Sequence, residues 1–403
     1  MADSFNCRIT SARRMELKGI IKVNLIVYSS RKISYVTDDN CDYLETLCCK
    51  SKVNSNIIFK EKNIIIDDEI SLSDSHEPIG KILTYKSEII TDECKIMTGK
   101  VMLRGTLIIN VTYLSSNDYR PCHFEQKIPY SQVCDIEGIN EDFKLVTNEK
   151  VVFLEVKCRS GGYEDGKTML VNSKINIVIE AYNKKEINTV IDAYSKIGNA
   201  DIKCQNIDLE NILDSVRDSF IAKKNLAFSE GDLNSIIDIE SNARVNNIKK
   251  SKDEVIVYGT VTVRIIFNDA SGHVDSCERM IDFEYKYKLQ QEVDNLKYKS
   301  RIMLTNLSYI ITSDSNIEIV CEMNIILDLF EISKICIITD ALISNEGIEQ
   351  STDSAIYVCF AEDDSDLWTI AKEYKSSLNE IRQLNSLDED CTKVSGAVVI
   401  PVK

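Results

Sequence analysis

The feature that most constrains this chain is that it repeats itself, because two copies of one pattern have to arrive at the same fold. Residues 101–113 recur as 255–267, 154 positions later, and 81–83 meets 235–237 at the same spacing. Cys122 and Tyr130 align with Cys277 and Tyr285 at 155, which reads as one inserted residue in the loop between. Residues 175–182 align with 323–330 at 148, and Asp192 and Ala193 fall on Asp340 and Ala341 at that spacing. The copies stay collinear, with insertions and deletions confined to turns.

Each copy consists of short β-branched runs separated by Asn, Asp, Gly and Ser, the pattern of strands and hairpin turns. Val261, Val263 and Ile265 alternate with Thr262 and Arg264, a period of two that suits a sheet with one wet face. Gly105 and Gly259 hold the same place inside a strand pair, which implies a bulge or a close backbone approach. A weaker partial copy opens the chain, where Leu17, Lys18, Gly19 and Ile20 lead into residues 23–28; it reads as one or two strands pairing with the first module. Between the copies Leu209, Ile212, Leu213, Val216 and Phe220 fall at helical spacing after a cap at Asn206 or Asp208. A helix is expected there, either bridging the modules or covering one sheet.

Composition excludes several classes of function. At 403 residues the chain is long enough for two to four domains. The formal charge of −16 repels a phosphate backbone, and the longest basic run, Lys249, Lys250 and Lys252, ends at once in Asp253 and Glu254, so nucleic acid is not an expected partner. No apolar run has the length of a transmembrane segment or follows the N-terminus as a secretory signal would, which predicts a cytoplasmic protein. The 14 cysteines are scattered, none in a Cys-x-x-Cys pair, and His76, His123 and His273 stand at no ligand spacing from them. They read as core or ordinary surface residues rather than disulfide or zinc ligands.

The sharpest suggestion of enzymatic chemistry is residues 161–168, which satisfy the phosphate-loop string ending in Gly166, Lys167 and Thr168. A working loop joins a strand to a helix, whereas the residues after Thr168 are strand-patterned and Glu164 and Asp165 would face the anion. A hairpin turn is the expectation. Asp67 with Asp68, and Asp238 with Glu240, read as solvated strand edges, and the one close nucleophile–base pair, Cys122 beside His123, has no counterpart at Cys277. The reading is a non-enzymatic protein with no cofactor, no metal and no catalytic residue.

A compact pattern follows the polar stretch 350–354. A strand at Tyr357 and Val358 precedes Leu367, Trp368, Ile370, Ala371 and Tyr374 at helical spacing, then a second helix carrying Leu378, Ile381 and Leu384, and a closing strand over 397–401. Trp368, the only tryptophan, anchors this strand–helix–helix–strand unit. The run 367–371, with Tyr374, Asn385 and the terminal residues Gly396 to Pro401, resembles the LysM family, whose members commonly bind N-acetylglucosamine glycans in a shallow groove. Where many members carry Gly-Asp-Ser/Thr, this chain has Asp364, Ser365 and Asp366, with Glu362 and Asp363 crowding the rim.

Residues 81–83 and 235–237, the Gly105 and Gly259 strand pairs, and Phe124, Ile128, Pro129, Tyr130, Ser131 and Gln132 resemble the SPOCS-domain proteins of endospore-forming bacteria. That resemblance implies a scaffold of spore coat assembly, in the mother-cell cytoplasm and recruited to the forespore surface by a spore coat morphogenetic ATPase. The expected fold is mainly β: tandem antiparallel SPOCS-like modules plus a small α+β (βααβ) LysM-like domain. The expected limits are an N-terminal β extension at 1–60, module 1 at 61–200, a bridging helix at 201–225, module 2 at 226–346, a linker at 347–354 and the LysM-like domain at 355–403. The expected partner-binding residues are Glu362, Asp363, Asp364, Asp366, Leu367, Trp368, Ile370 and Asn385, their acidity favouring a basic protein surface. The alternative is a peptidoglycan-binding protein using the same groove for glycan, and homotypic association stays open.

Overall fold

Alternating β-branched residues become long strands wherever one face can be buried, and here they do so along nearly the whole chain. The computed structural model describes every residue except 1, 22, 24, 26, 28–32, 38–42, 160–165, 228–233, 270, 314–315, 345–355 and 402–403, so the expected linker at 347–354 lies outside the described residues. Two compact units result. One comprises Met1–Thr46, Ala193–Cys204 and Ile338–Lys403; the other comprises Leu47–Asp192 and Gln205–Ile337.

The chain opens with β1 (Ala2–Ser11) and β2 (Arg14–Ile21). The first module follows as β3 (Leu44–Ser71), β4 (Ile79–Met97), β5 (Lys100–Ser115), β6 (Pro121–Asp135), β7 (Phe143–Cys158) and β8 (Thr168–Ser195). Its strands form two three-stranded sheets, ordered β4-β5-β6 and β3-β8-β7. The second module repeats them as β9 (Asn199–Ala227), β10 (Ser235–Ser251), β11 (Glu254–Asn268), β12 (Val274–Lys288), β13 (Leu296–Ser313) and β14 (Asn316–Ser344), ordered β10-β11-β12 and β13-β14-β9. Strand for strand the topology is the same.

Within each module the two sheets pack face to face. Leu107, Ile109 and Val111 of β5 meet Met169 and Val171 of β8, while Val261, Val263 and Ile265 of β11 meet Ile317, Ile319 and Met323 of β14. Each such aliphatic side chain, fully withdrawn from water, contributes roughly 1.5–3 kcal/mol. The repeat extends to irregularities. The ladder slips between Thr91 and Glu93 opposite Gly105, and between Val245 and Asn247 opposite Gly259. Neither glycine has a positive φ; the reason for it is space. A Cβ on Gly105 would lie 2.2 Å from the Ile90 carbonyl oxygen and 2.5 Å from the Tyr130 hydroxyl, and one on Gly259 would lie 2.1 Å from the Phe283 ring.

Three expectations are corrected. Residues 201–225 form no helix but lie in β9, the counterpart of β3 and an edge of the second module's own sheet. Ile212, Val216 and Phe220 are four apart, a spacing that returns to one face of a helix and equally to one face of a strand. The sequence alignment over β6 and β12 is two residues out: Gly105 pairs with Tyr130 and Gly259 with Phe283, so the spacing on this strand is 153 rather than 155. A two-residue slip keeps every side chain on its own face, and the apolar pattern is blind to it. Finally, β1 pairs with β2 in a sheet of their own among the described residues, not with the first module, and a limit at residue 60 would cut through β3.

The chain closes with β15 (Ile356–Asp366), α1 (Leu367–Glu373), α2 (Leu378–Leu384) and β16 (Lys393–Pro401), the βααβ order expected, with β15 antiparallel to β16.

Candidate protein-binding site

The eight expected binding residues separate into a core and a rim. Leu367, Trp368 and Ile370 point inward from α1 and are buried, which corrects their expected role: they hold the unit together and do not present themselves to a partner. Asn385, at the end of α2, donates to the carbonyls of Ile381 (2.8 Å) and Val399 (2.6 Å) and accepts from the Val399 N–H (2.7 Å), so its amide is used in pinning α2 to β16. Asp366 caps α1, its carboxylate accepting from the Thr369 N–H at 3.0 Å and the Thr369 hydroxyl at 2.6 Å.

Glu362, Asp363 and Asp364 remain, all exposed on a bend within β15, where its register with β16 breaks between Ala361 and Ser365. The bend is tied at both sides: the Ser365 hydroxyl donates to the Glu362 carbonyl at 2.9 Å and the Asp364 N–H to the Ser395 hydroxyl at 3.1 Å. Asp364, where the LysM resemblance has glycine, keeps a glycine-like backbone with φ +64°, and its carboxylate stands 3.9 Å from the Lys393 ammonium. The arrangement presents exposed carboxylates on a backbone held by hydrogen bonds.

Sequence reasoning missed Tyr194. At the end of β8, its ring meets that of Trp368 edge-on at 5.0 Å, and its hydroxyl donates to the Ser376 carbonyl at 2.6 Å. Ser376 in turn donates to the Pro401 carbonyl at 2.6 Å. The tryptophan that anchors the βααβ unit is thus covered by a residue 174 positions earlier, and no local period signals such a pair.

The other sequence suggestions are resolved by position. Residues 161–165 of the phosphate-loop string lie outside the described residues, but Lys167 donates to the carbonyls of His76 and Ser73, and Thr168 begins β8, so a strand stands where a phosphate loop needs a helix N-terminus. Cys122 packs against the first module's core, where burial pushes its thiol up, while His123 is 3.6 Å from Asp238 of β10. Asp238 and Glu240 line a groove of about 340 Å³ with Lys86, Glu88, His123 and Glu125. Two side-chain pairs cross between the modules there, Lys86 with Glu240 at 2.5 Å and His123 with Asp238 at 3.6 Å. Among the described residues no group of three or more His, Cys, Asp or Glu side chains is arranged to hold a metal ion, and no helix is long and apolar enough to cross a membrane.

Comparison with known proteins finds one family: the model described as SipL, SPOCS domain, matches residues 78–159. No curated protein and no solved structure matches the chain. The matched segment contains β4, β5, β6 and β7, which is the whole β4-β5-β6 sheet of module 1 and one edge strand of its β3-β8-β7 sheet. Residues 78–159, within the first of the two repeated modules, are therefore similar to the SPOCS domain.

Proposed function

We propose that this chain is a non-enzymatic adaptor in a sporulation-related assembly, docking a spore coat morphogenetic ATPase through its C-terminal βααβ unit. The SPOCS match supports the setting. The observation that carries the docking reading is the tied bend at 362–364, where exposed carboxylates project from a turn whose backbone is held by Ser365 and Ser395. A glycan groove needs close approach and neutral hydrogen-bonding loops; a rim of negative charge suits a basic protein surface and sets the rate and orientation of encounter.

The test uses the full chain, immobilised, with the coat ATPase and N-acetylglucosamine oligomers as separate analytes. The expected result is saturable ATPase binding that weakens at least tenfold from 50 mM to 500 mM salt and in the combined variant Glu362→Gln, Asp363→Asn, Asp364→Asn. Saturable binding of the oligomers with no retention of the ATPase, or ATPase binding indifferent to these three residues, overturns the reading.

A further inference from the structure

The N-terminal hairpin is half of a sandwich. Its register sets Ile9 opposite Met15 and Cys7 opposite Leu17 on one face, and Arg8 opposite Glu16 and Asn6 opposite Lys18 on the other. With Gly19 laid on Gly105 and Gly259, Met15, Leu17 and Ile21 fall on Val101, Leu103 and Leu107 and on Val255, Val257 and Val261. Those six residues are 0% exposed in the modules, under a second sheet, whereas Met15 is 58%, Leu17 57% and Ile21 73% exposed. A lone two-stranded hairpin with a bare apolar face is marginal in water, so this one is built to be covered.

A second two-stranded face is open at the other end of the chain. On β15, Ile356, Val358 and Phe360 alternate outward, opposite Pro401, Val399 and Ala397 of β16, and Phe360 is 82% exposed. The reverse face of the same strands carries the buried Val398 and Ile400. Both open faces are two strands wide and apolar, and sheets of that kind pack on one another about 10 Å apart.

Charge selects the pairing. Residues 2–21 carry Arg8, Arg13, Arg14 and Lys18 against Asp3 and Glu16, in a chain of formal charge −16. The open face of β15 runs directly into Glu362, Asp363, Asp364 and Asp366. Two hairpins meeting each other would juxtapose like charges; a hairpin meeting the C-terminal sheet joins opposite ones. Both faces are bare among the described residues, and each carries beside it the charge the other lacks, which fits a second copy as the occupant of each.

We infer that the N-terminal hairpin of one molecule docks on the β15–β16 face of a second copy, forming head-to-tail chains. The contact is heterologous and leaves a free hairpin at one end and a free sheet at the other, so it propagates instead of closing as a dimer does. The experiment contains this chain alone, so its outcome is independent of the ATPase reading.

Sedimentation velocity of the full chain across about two decades of concentration reads the association. The expected result is a series of species that grows with concentration and shrinks in 500 mM salt. Leu17→Asp and Phe360→Asp are each expected to be monomeric, and an equimolar mixture of the two to give a 1:1 dimer and nothing larger, because each supplies the face the other lacks. Arg13→Glu combined with Arg14→Glu, at and beside the hairpin turn where folding is not at stake, is expected to weaken association at least tenfold. A wild-type chain that stays monomeric, a Phe360→Asp chain that still self-associates, or an arginine variant that associates as tightly as the wild type overturns the inference.

Discussion

Because Trp368 is the only tryptophan, its fluorescence reports directly on whether the βααβ unit stands alone or leans on Tyr194. Trp368 is 7% exposed, with the Tyr194 ring 5.0 Å away and edge-on. Tyr194→Phe removes one neutral hydrogen bond, to the Ser376 carbonyl, and keeps the ring. The expected cost is about 1 kcal/mol. Tyr194→Ala also removes the ring and leaves a void over the indole, with an expected cost of about 3–5 kcal/mol, by the usual scale for a large aromatic truncated in a core. The aromatic pair itself accounts for about 0.5–1.5 kcal/mol of that. The assay is tryptophan emission followed through urea unfolding of the full chain. Tyr194→Phe should keep the native emission and shift the midpoint slightly; Tyr194→Ala should move the native emission to the red and lower the midpoint several-fold more. If Tyr194→Ala leaves both emission and midpoint unchanged, the unit holds its tryptophan without β8 and the reasoning fails.

Three further outcomes follow from local geometry. Gly259→Ala is expected to destabilise by about 1–3 kcal/mol in chemical denaturation, since the gain from a stiffer unfolded chain cannot offset a Cβ placed 2.4 Å from the Arg244 carbonyl oxygen. Asp364→Gly is expected to raise the melting temperature of the βααβ unit slightly, by up to about 1 kcal/mol of stability, because a φ of +64° suits glycine better than aspartate. Asp328 is buried, and burial pushes its carboxyl up, only partly offset by the Ser215 hydroxyl and by Arg301, Arg217 and Lys299. A carboxyl raised on folding binds its proton more tightly in the folded state, so stability rises as pH falls through the raised value towards the ordinary 3.8. Asp328→Asn should therefore flatten that part of the urea midpoint's pH dependence.

What the sequence made legible follows from which periods it can display. Alternation at Val261, Val263 and Ile265 shows a strand because every second residue is buried, and the repeat then supplies the partner sheet by analogy. Ile212, Val216 and Phe220 defeated the reading because a spacing of four belongs to both periods; only the tertiary demand of module 2 for an edge strand decides. The slip of two over β6 and β12 was invisible for the same kind of reason. In the C-terminal unit, the order of elements was readable from Leu367, Trp368, Ile370 and Ile381. Yet the same apolar character that made them conspicuous put them in the core, not at the surface. Their cover, Tyr194, comes from β8 and could not be read locally.

The junction between the modules explains why the sites proposed above lie in the other unit. Tyr182 and Phe330, which occupy matching positions 148 residues apart, meet edge-on at 5.8 Å beside Val146 and Ile212. Lys86 and Glu240 also match, 154 apart, and pair with each other. Asn54 donates to the Glu210 carbonyl at 2.6 Å and Asn211 to the Lys52 carbonyl at 2.7 Å, a reciprocal exchange between β3 and β9. Contacts between matching residues are the signature of a two-fold, dimer-like interface. In a dimer of identical chains Lys86 would face a second lysine; within one chain the two positions are free to differ, and they carry opposite charges. Arg301 adds polar contacts to Asn148 and Glu149, and Arg217 to Thr147, so the junction is bonded as well as packed. Surfaces used in this way are withdrawn from partners. The apolar hairpin, the open β15–β16 face and the acidic bend at 362–364 are not so used.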